Sequence, residues 1–268
     1  MPNKPFPYYG GKYYMLDDIY RLFASRYNAF DNGITCFVDV FGGSGTVLAN
    51  LPKEYRVKNK VYNDLNHTLY RAILDLKDEN ARNKIKEQFE LIPKSREYFY
   101  DIRNRYESNQ EISTFEFLYL IGCSYNAGMN SFSVNAISLN TKTYDATFKD
   151  ALEAWKFMRD WTIECLDFRD VIKRYDSQTT FFYLDPPYYI GGKAYKVGFS
   201  DNDYQDLKSL ISNMKGSYIM NESERDFEYI KSIFGEPKFV KAYANRYRRF
   251  QGSEGFHDKR IEGFWTNF

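Results

Sequence analysis

Cys36-Phe37-Val38-Asp39-Val40-Phe41-Gly42-Gly43-Ser44-Gly45 is a short apolar run cut off by a glycine turn, and a helix is expected to begin at Thr46. Thr180-Phe181-Phe182-Tyr183-Leu184 repeats the pattern, with Asp185-Pro186-Pro187-Tyr188 as its stop. Apolar runs of this length, ended by glycine or proline, are the mark of buried parallel strands, whose carboxyl ends carry the chemistry. Working outward, lesser strand candidates lie at 60–63, 162–165, 217–221, 239–243 and 263–267. Helical stretches separate them, so the fold class is α/β.

The character changes between residues 67 and 150. Leu69, Ile73, Leu74 and Leu76, then Ile85, Phe89 and Ile92, recur at helical spacing among many charges, and 98–106 and 115–121 continue the pattern. A polar stretch rich in Asn and Ser follows at 124–143, with no charge before Lys142. The expected organisation is a catalytic domain of residues 1–66 and 151–268 carrying a helical insertion, 67–150, tipped by a loop or hairpin.

Composition sets the limits. Hydrophobic residues make up 43% and charged residues 27% of 268, ordinary for a globular chain and unlike a disordered one. Net charge is +1, so any nucleic-acid surface must be a local patch rather than a global basic field. Aromatic content reaches 19%, enough to fill a core and still leave rings for stacking on bases. Cys36, Cys123 and Cys165 are odd in number and show no CxxC spacing, which supports neither a disulfide framework nor a zinc site. Neither a leader-like apolar segment nor an 18-residue apolar run occurs, and a cytoplasmic location with no membrane partner is expected. The two histidines, His67 and His257, sit in no motif, and no catalytic metal is expected.

Asp185-Pro186-Pro187-Tyr188 carries the sharpest chemistry. An aromatic exocyclic amine is a poor nucleophile because its lone pair is delocalised into the ring. A carboxylate and the carbonyl of the next proline can accept its two N–H bonds and hold it for attack, and a proline pair stiffens that backbone. The tyrosine ring offers a face for an extruded base. In the first turn, Gly42 and Gly43 allow close approach to a ligand, and Asp39 can meet a cationic amino group. Asp64, about 20 residues on at the end of the next strand, suits ribose hydroxyls, with a helix cap as the alternative. The tail from 238 to 260 holds Lys238, Lys241, Arg246, Arg248, Arg249, Lys259 and Arg260 against Glu254 and Asp258. That tail suits a phosphate-binding edge or a solvated face.

PYYGGK at 7–12, FVDVFGGSG at 37–45, NDLN at 63–66, LDF at 166–168, DPPY at 185–188 and EGFWTNF at 262–268 fall in one order. That order resembles the alpha-group, Dam-like DNA adenine methyltransferases over nearly the whole chain. The resemblance implies a Rossmann-like domain that uses S-adenosyl-L-methionine, double-stranded DNA as partner, and a target-recognition role for the helical insertion. Restriction–modification is among the settings it allows. It also assigns Tyr8, Gly10, Lys12, Asp39, Gly42, Gly43, Asp64, Asp167, Phe168 and Asp185 to the cofactor, with Lys12 near its carboxylate. Asp185, Pro186, Pro187 and Tyr188 go to the target base. Asp167 alone would serve equally as a turn acid.

For DNA, Asn126, Asn130 and Asn135 are candidates because asparagine pairs with adenine edges, although turn asparagines are common. Lys142, Arg246, Arg248 and Arg249 are candidates for phosphates. Two departures stand out: the turn reads Phe41-Gly42-Gly43 where many relatives have Pro-Phe or Phe-Cys, and the recognition stretch is poor in cations. The same motif chemistry serves N4-cytosine or RNA-adenine methylation, and the motif order leans to adenine in DNA. A carbon-5 cytosine enzyme would need a cysteine nucleophile, and no Pro-Cys is present. A catalytically silent nucleic-acid-binding protein is the alternative of another class, disfavoured by the intact Asp39, Asp64, Asp185 and Tyr188.

Overall fold

In a computed structural model of the chain, the described residues are 3–8, 10–29, 33–124, 127–133, 144–189, 198–244 and 259–268. Seven strands form one sheet: β1 Cys36–Asp39, β2 Asn59–Asn63, β3 Trp161–Glu164, β4 Thr180–Leu184, β5 Ser217–Ser223, β6 Phe239–Ala244 and β7 Lys259–Thr266. Their order is β3-β2-β1-β4-β5-β7-β6. Strands β1 to β5 pair in parallel, and β7 runs antiparallel between β5 and β6. This is a doubly wound, Rossmann-like sheet whose strand order reverses between β1 and β4, and the carboxyl ends of strands at such a reversal open a crevice. All seven expected strands are present. The first is shorter than its apolar run, because Val40 and Phe41 turn away after Asp39.

The pleat sorts side chains onto two cores. Phe37, Phe181 and Tyr183 face one core, while Cys36, Val38, Phe182 and Leu184 face the other, the period of two expected along a strand. The second core is completed by α9 Phe168–Tyr175, α10 Asp201–Ser212 and α11 Phe227–Phe234. The first is larger. It takes Leu16, Ile19 and Phe23 from α1 Leu16–Asn28, and Val47 and Leu48 from the single turn α2 Thr46–Ala49.

Helices α3 His67–Lys77, α4 Glu79–Leu91, α5 Arg96–Glu107, α6 Thr114–Gly122, α7 Tyr144–Glu153 and α8 Trp155–Met158 stand between β2 and β3. Asn66, Asp78, Ser95 and Ser113 each cap the helix that follows, their side chains accepting from backbone amides of its first turn. Their apolar faces continue the first core without a break: Phe117 of α6 packs edge-on against Phe6 at 5.3 Å, and Phe115 and Phe148 lie 5.5 Å apart. No helix among the described residues is long and apolar enough to cross a membrane.

Candidate active site

A cleft enclosing about 990 Å³, part of it open to solvent, lies where the strand order reverses. Tyr8, Gly10, Lys12, Asp39, Gly42, Gly43, Asp64, Asp167, Phe168 and Asp185 all line it, so residues up to 177 positions apart in sequence meet in one place. Pro187 also lines it; Pro186 is buried and Tyr188 half-buried beside it. Asn130 is exposed and outside the cleft. Asn126, Asn135, Lys142, Arg246, Arg248 and Arg249 lie outside the described residues.

The glycine turn is shaped by its neighbours on β2. The Gly42 amide donates to the Asn63 carbonyl at 2.7 Å, and a Cβ on Gly42 would sit 2.4 Å from Cε2 of Tyr62, so no larger residue fits without displacing that ring. Gly43 holds φ at +52°, a left-handed conformation that costs other residues. Its amide donates to Asp64 Oδ2 at 2.8 Å, and the Tyr62 hydroxyl donates to its carbonyl.

Asp64 also accepts from the Asn66 amide through Oδ1, which ties the turn to the start of α3. Asn66, rather than Asp64, caps that helix. Each carboxylate oxygen retains a second lone pair for a ligand hydroxyl. Burial outweighs the two amides and raises the Asp64 pKa to about 6.

Asp39 closes the floor. It is buried, its Oδ1 has no hydrogen-bond partner among the described residues, and burial followed by the charges of Asp185 and Asp64 pushes its pKa well above the ordinary carboxylate value. A buried carboxyl with an orphaned oxygen is short of a cation. Opposite, Asp167 caps α9 by accepting from the Arg169 amide and is gripped by the Arg169 guanidinium at 3.1 Å. Phe168 presents an aromatic wall that continues through Phe41 and Phe199.

At the other end, Lys12 Nζ meets Asp185 Oδ1 at 2.7 Å and sits 4.9 Å from the centre of the Tyr188 ring. The N-terminal lysine thus pairs with the DPPY segment while also lining the cleft. The Asn221 amide, on β5, donates to the same Asp185 oxygen at 3.2 Å, while its own carbonyl accepts from the Tyr183 hydroxyl. Burial raises the Asp185 pKa, and Lys12 and Asn221 pull it back down. The Pro187 carbonyl accepts from the Tyr204 hydroxyl at 2.9 Å.

Asn221, Tyr204 and Tyr183 were not anticipated as site residues. Of these, only Asn221 carried a signal, a polar residue at the end of an apolar strand. One cation and one ring of the basic tail region have structural partners: Lys241 bridges both oxygens of buried Asp18 on α1, and Tyr243 donates to Asp18 as well.

A family model described as D12 class N6 adenine-specific DNA methyltransferase matches residues 8–248. The chain belongs to this family. A curated relative, Modification methylase StsI of Streptococcus sanguinis, is 27% identical over 238 residues, an alignment covering 78% of this chain. The chain spans 32% of that relative's length. Among solved structures, rRNA methyltransferase aviRa from Streptomyces viridochromogenes aligns with 94% of this chain and 84% of its own, at 13% identity and a TM-score of 0.39.

Proposed function

We propose that this methyltransferase-family chain moves a methyl group from S-adenosyl-L-methionine to the exocyclic N6 amine of adenine in double-stranded DNA. The observation that carries the reading is one cleft at the strand reversal with an orphaned Asp39 oxygen at one end and the Lys12-held Asp185 carboxylate at the other. The cofactor fits the donor set. Its ammonium would supply the cation that Asp39 lacks, its ribose hydroxyls would donate to Asp64, and its adenine would lie against Phe168 with Asp167 at its edge. The Gly42–Gly43 turn leaves room for the methionine part. When bound, the cofactor supplies an electrophilic methyl on a sulfonium.

The remaining work falls to this chain. Asp185 and the Pro186 carbonyl accept the two N–H bonds of the flipped base, which localises the amine lone pair and holds it in line. Lys12 and Asn221 fix the Asp185 carboxylate and favour its ionised form. The Tyr188 ring stacks on the base. A strong base is not needed beforehand, because the amine turns acidic only as the methyl arrives, and Asp185 is then the nearest acceptor. The helical block between β2 and β3 and the tail supply target recognition in this reading. The likeness to a modification methylase makes modification within a restriction system the fitting biological setting.

Radiolabelled methyl transfer to DNA and RNA followed by nucleoside analysis tests the reading. N6-methyladenine in DNA is expected; N4-methylcytosine, RNA-only labelling or no transfer would overturn it.

A further inference from the structure

Tyr204 of α10 is fully buried, and its hydroxyl stands 2.9 Å from the Pro187 carbonyl oxygen and 3.2 Å from Glu222 Oε1. A phenol has one proton to give. Glu222, on β5 next to Asn221, has no exposed surface, and its Oε2 has no hydrogen-bond partner among the described residues. An ionised Glu222 would thus compete with Pro187 for a single donor in a place where an uncompensated charge is costly.

The conflict disappears when Glu222 carries a proton. Its acid O–H donates to the Tyr204 oxygen, and Tyr204 donates to Pro187. The groups facing Glu222 favour that state: burial first, then the carboxylates of Asp185 at the end of β4 and Asp226 in the turn after β5, raise its pKa. Lys12 of the N-terminal segment and the Tyr204 bond oppose them more weakly.

The anchor has a reason to exist. Pro186 and Pro187 donate no backbone N–H, so the Asp185–Tyr188 segment lacks two of the bonds that fix an ordinary turn. Asn221 holds it at Asp185, and Tyr204 holds it at Pro187.

We propose that Glu222 and Tyr204 form a positioning relay, Glu222 to Tyr204 to the Pro187 carbonyl, that fixes the aim of the adjacent Pro186 carbonyl at the target amine. Neither side chain touches substrate; both act through the proline pair. The relay's role in catalysis rests on the methyl-transfer reading above.

The test uses the full chain with S-adenosyl-L-methionine and duplex DNA for turnover, and with S-adenosylhomocysteine for cofactor-product binding. Tyr204→Phe keeps the ring that packs against Phe199 and Tyr229 and removes only the hydroxyl. It should lower kcat about 10- to 100-fold, with cofactor-product affinity and KM for DNA held within about twofold, as a misaimed reacting group requires. Amide hydrogen exchange at Tyr188 and Tyr189 should rise in the protein alone.

Glu222→Ala should show the same loss, and Glu222→Gln, which keeps a neutral donor, should regain about half or more of the rate. A Tyr204→Phe variant with wild-type kcat and unchanged exchange would overturn the relay. So would a Glu222→Gln variant as slow as Glu222→Ala, because the carboxyl would then have to be ionised. A wild-type protein that transfers no methyl overturns the proposed function instead, and the exchange measurement still judges the anchor.

Discussion

Lys12 and Asp185, 173 positions apart in sequence, form an ion pair of 2.7 Å in which the lysine side chain is 3% exposed and the aspartate 16%. The N-terminal segment and the DPPY segment are thereby parts of one device. Removing one member of a buried pair leaves the other charged and unsolvated.

Lys12→Met is accordingly expected to destabilise the fold by about 2–3 kcal/mol, the residual exposure of Asp185 keeping the cost below that of a fully buried pair. The sign of its pH dependence follows from Asp185, whose folded pKa is already raised and would rise further without the lysine. A raised carboxyl pKa gives stability that is complete at low pH and is lost as pH rises through the folded value. The deficit of the variant in thermal melts should therefore narrow on acidification. The acid limb of its pH–rate profile should move to higher pH. A limb that stays in place would separate Lys12 from the ionisation of Asp185.

Asp185→Asn is expected to lower kcat about 100- to 1,000-fold, the usual cost of one lost acceptor in a preorganised site. The amide keeps the shape and still accepts from Lys12. Asp185→Ala is the poorer probe, because it strands a buried ammonium and mixes a folding defect into the rate. More than a tenth of wild-type turnover in Asp185→Asn would remove Asp185 from the target amine.

Asp64 has a folded pKa of about 6 against an ordinary 3.8. Ribose hydroxyls donate more strongly to the ionised form, so affinity for S-adenosylhomocysteine should climb between pH 5 and 7. Asp64→Ala should weaken binding by about 1.5–3 kcal/mol, the worth of a hydrogen bond to a charged group. Asp64→Asn should flatten the pH dependence. Titration calorimetry across that range reads both, and a flat wild-type profile would leave Asp64 as a brace for the glycine turn alone.

Gly42→Ala forces a methyl to within 2.4 Å of the Tyr62 ring and 3.0 Å of the Asn63 carbonyl. Overpacking of this kind costs about 1–3 kcal/mol. A lowered melting temperature with weakened cofactor-product binding is expected, because Tyr62 also holds the Gly43 carbonyl. Unchanged melting would mean that the ring yields freely.

Much of this is legible in the sequence. Apolar runs such as Phe181-Phe182-Tyr183-Leu184 leave a chain few options but a doubly buried strand, and Gly42-Gly43 and Pro186-Pro187 mark where two of them stop. Partnerships across distance were less legible. Nothing near Lys12 in sequence says that its charge is answered by Asp185, and nothing near Tyr204 names Pro187 or Glu222, since each pairing depends on how strands order in the sheet. Lys241 shows the opposite difficulty: counted among tail cations it suggests a phosphate contact, yet buried Asp18 claims it. The asparagines at 126 and 135 and the arginines from 246 to 249 lie outside the described residues.

The placing of β7 between β5 and β6 bears on how the molecule comes to be. Among the described residues, strand β6 joins the sheet only through β7, and β7 covers the outer edge of β5. A chain emerging in order therefore makes β5, with its buried Asn221 and Glu222, some 36 residues before the strand that shields it. Until β7 arrives, β5 presents an open edge of unpaired backbone groups, of the kind that recruits foreign strands. Closing that gap is a non-local, slow event late in assembly. Cleavage before Lys259 would strip two strands rather than one, because β6 is held to the sheet through β7.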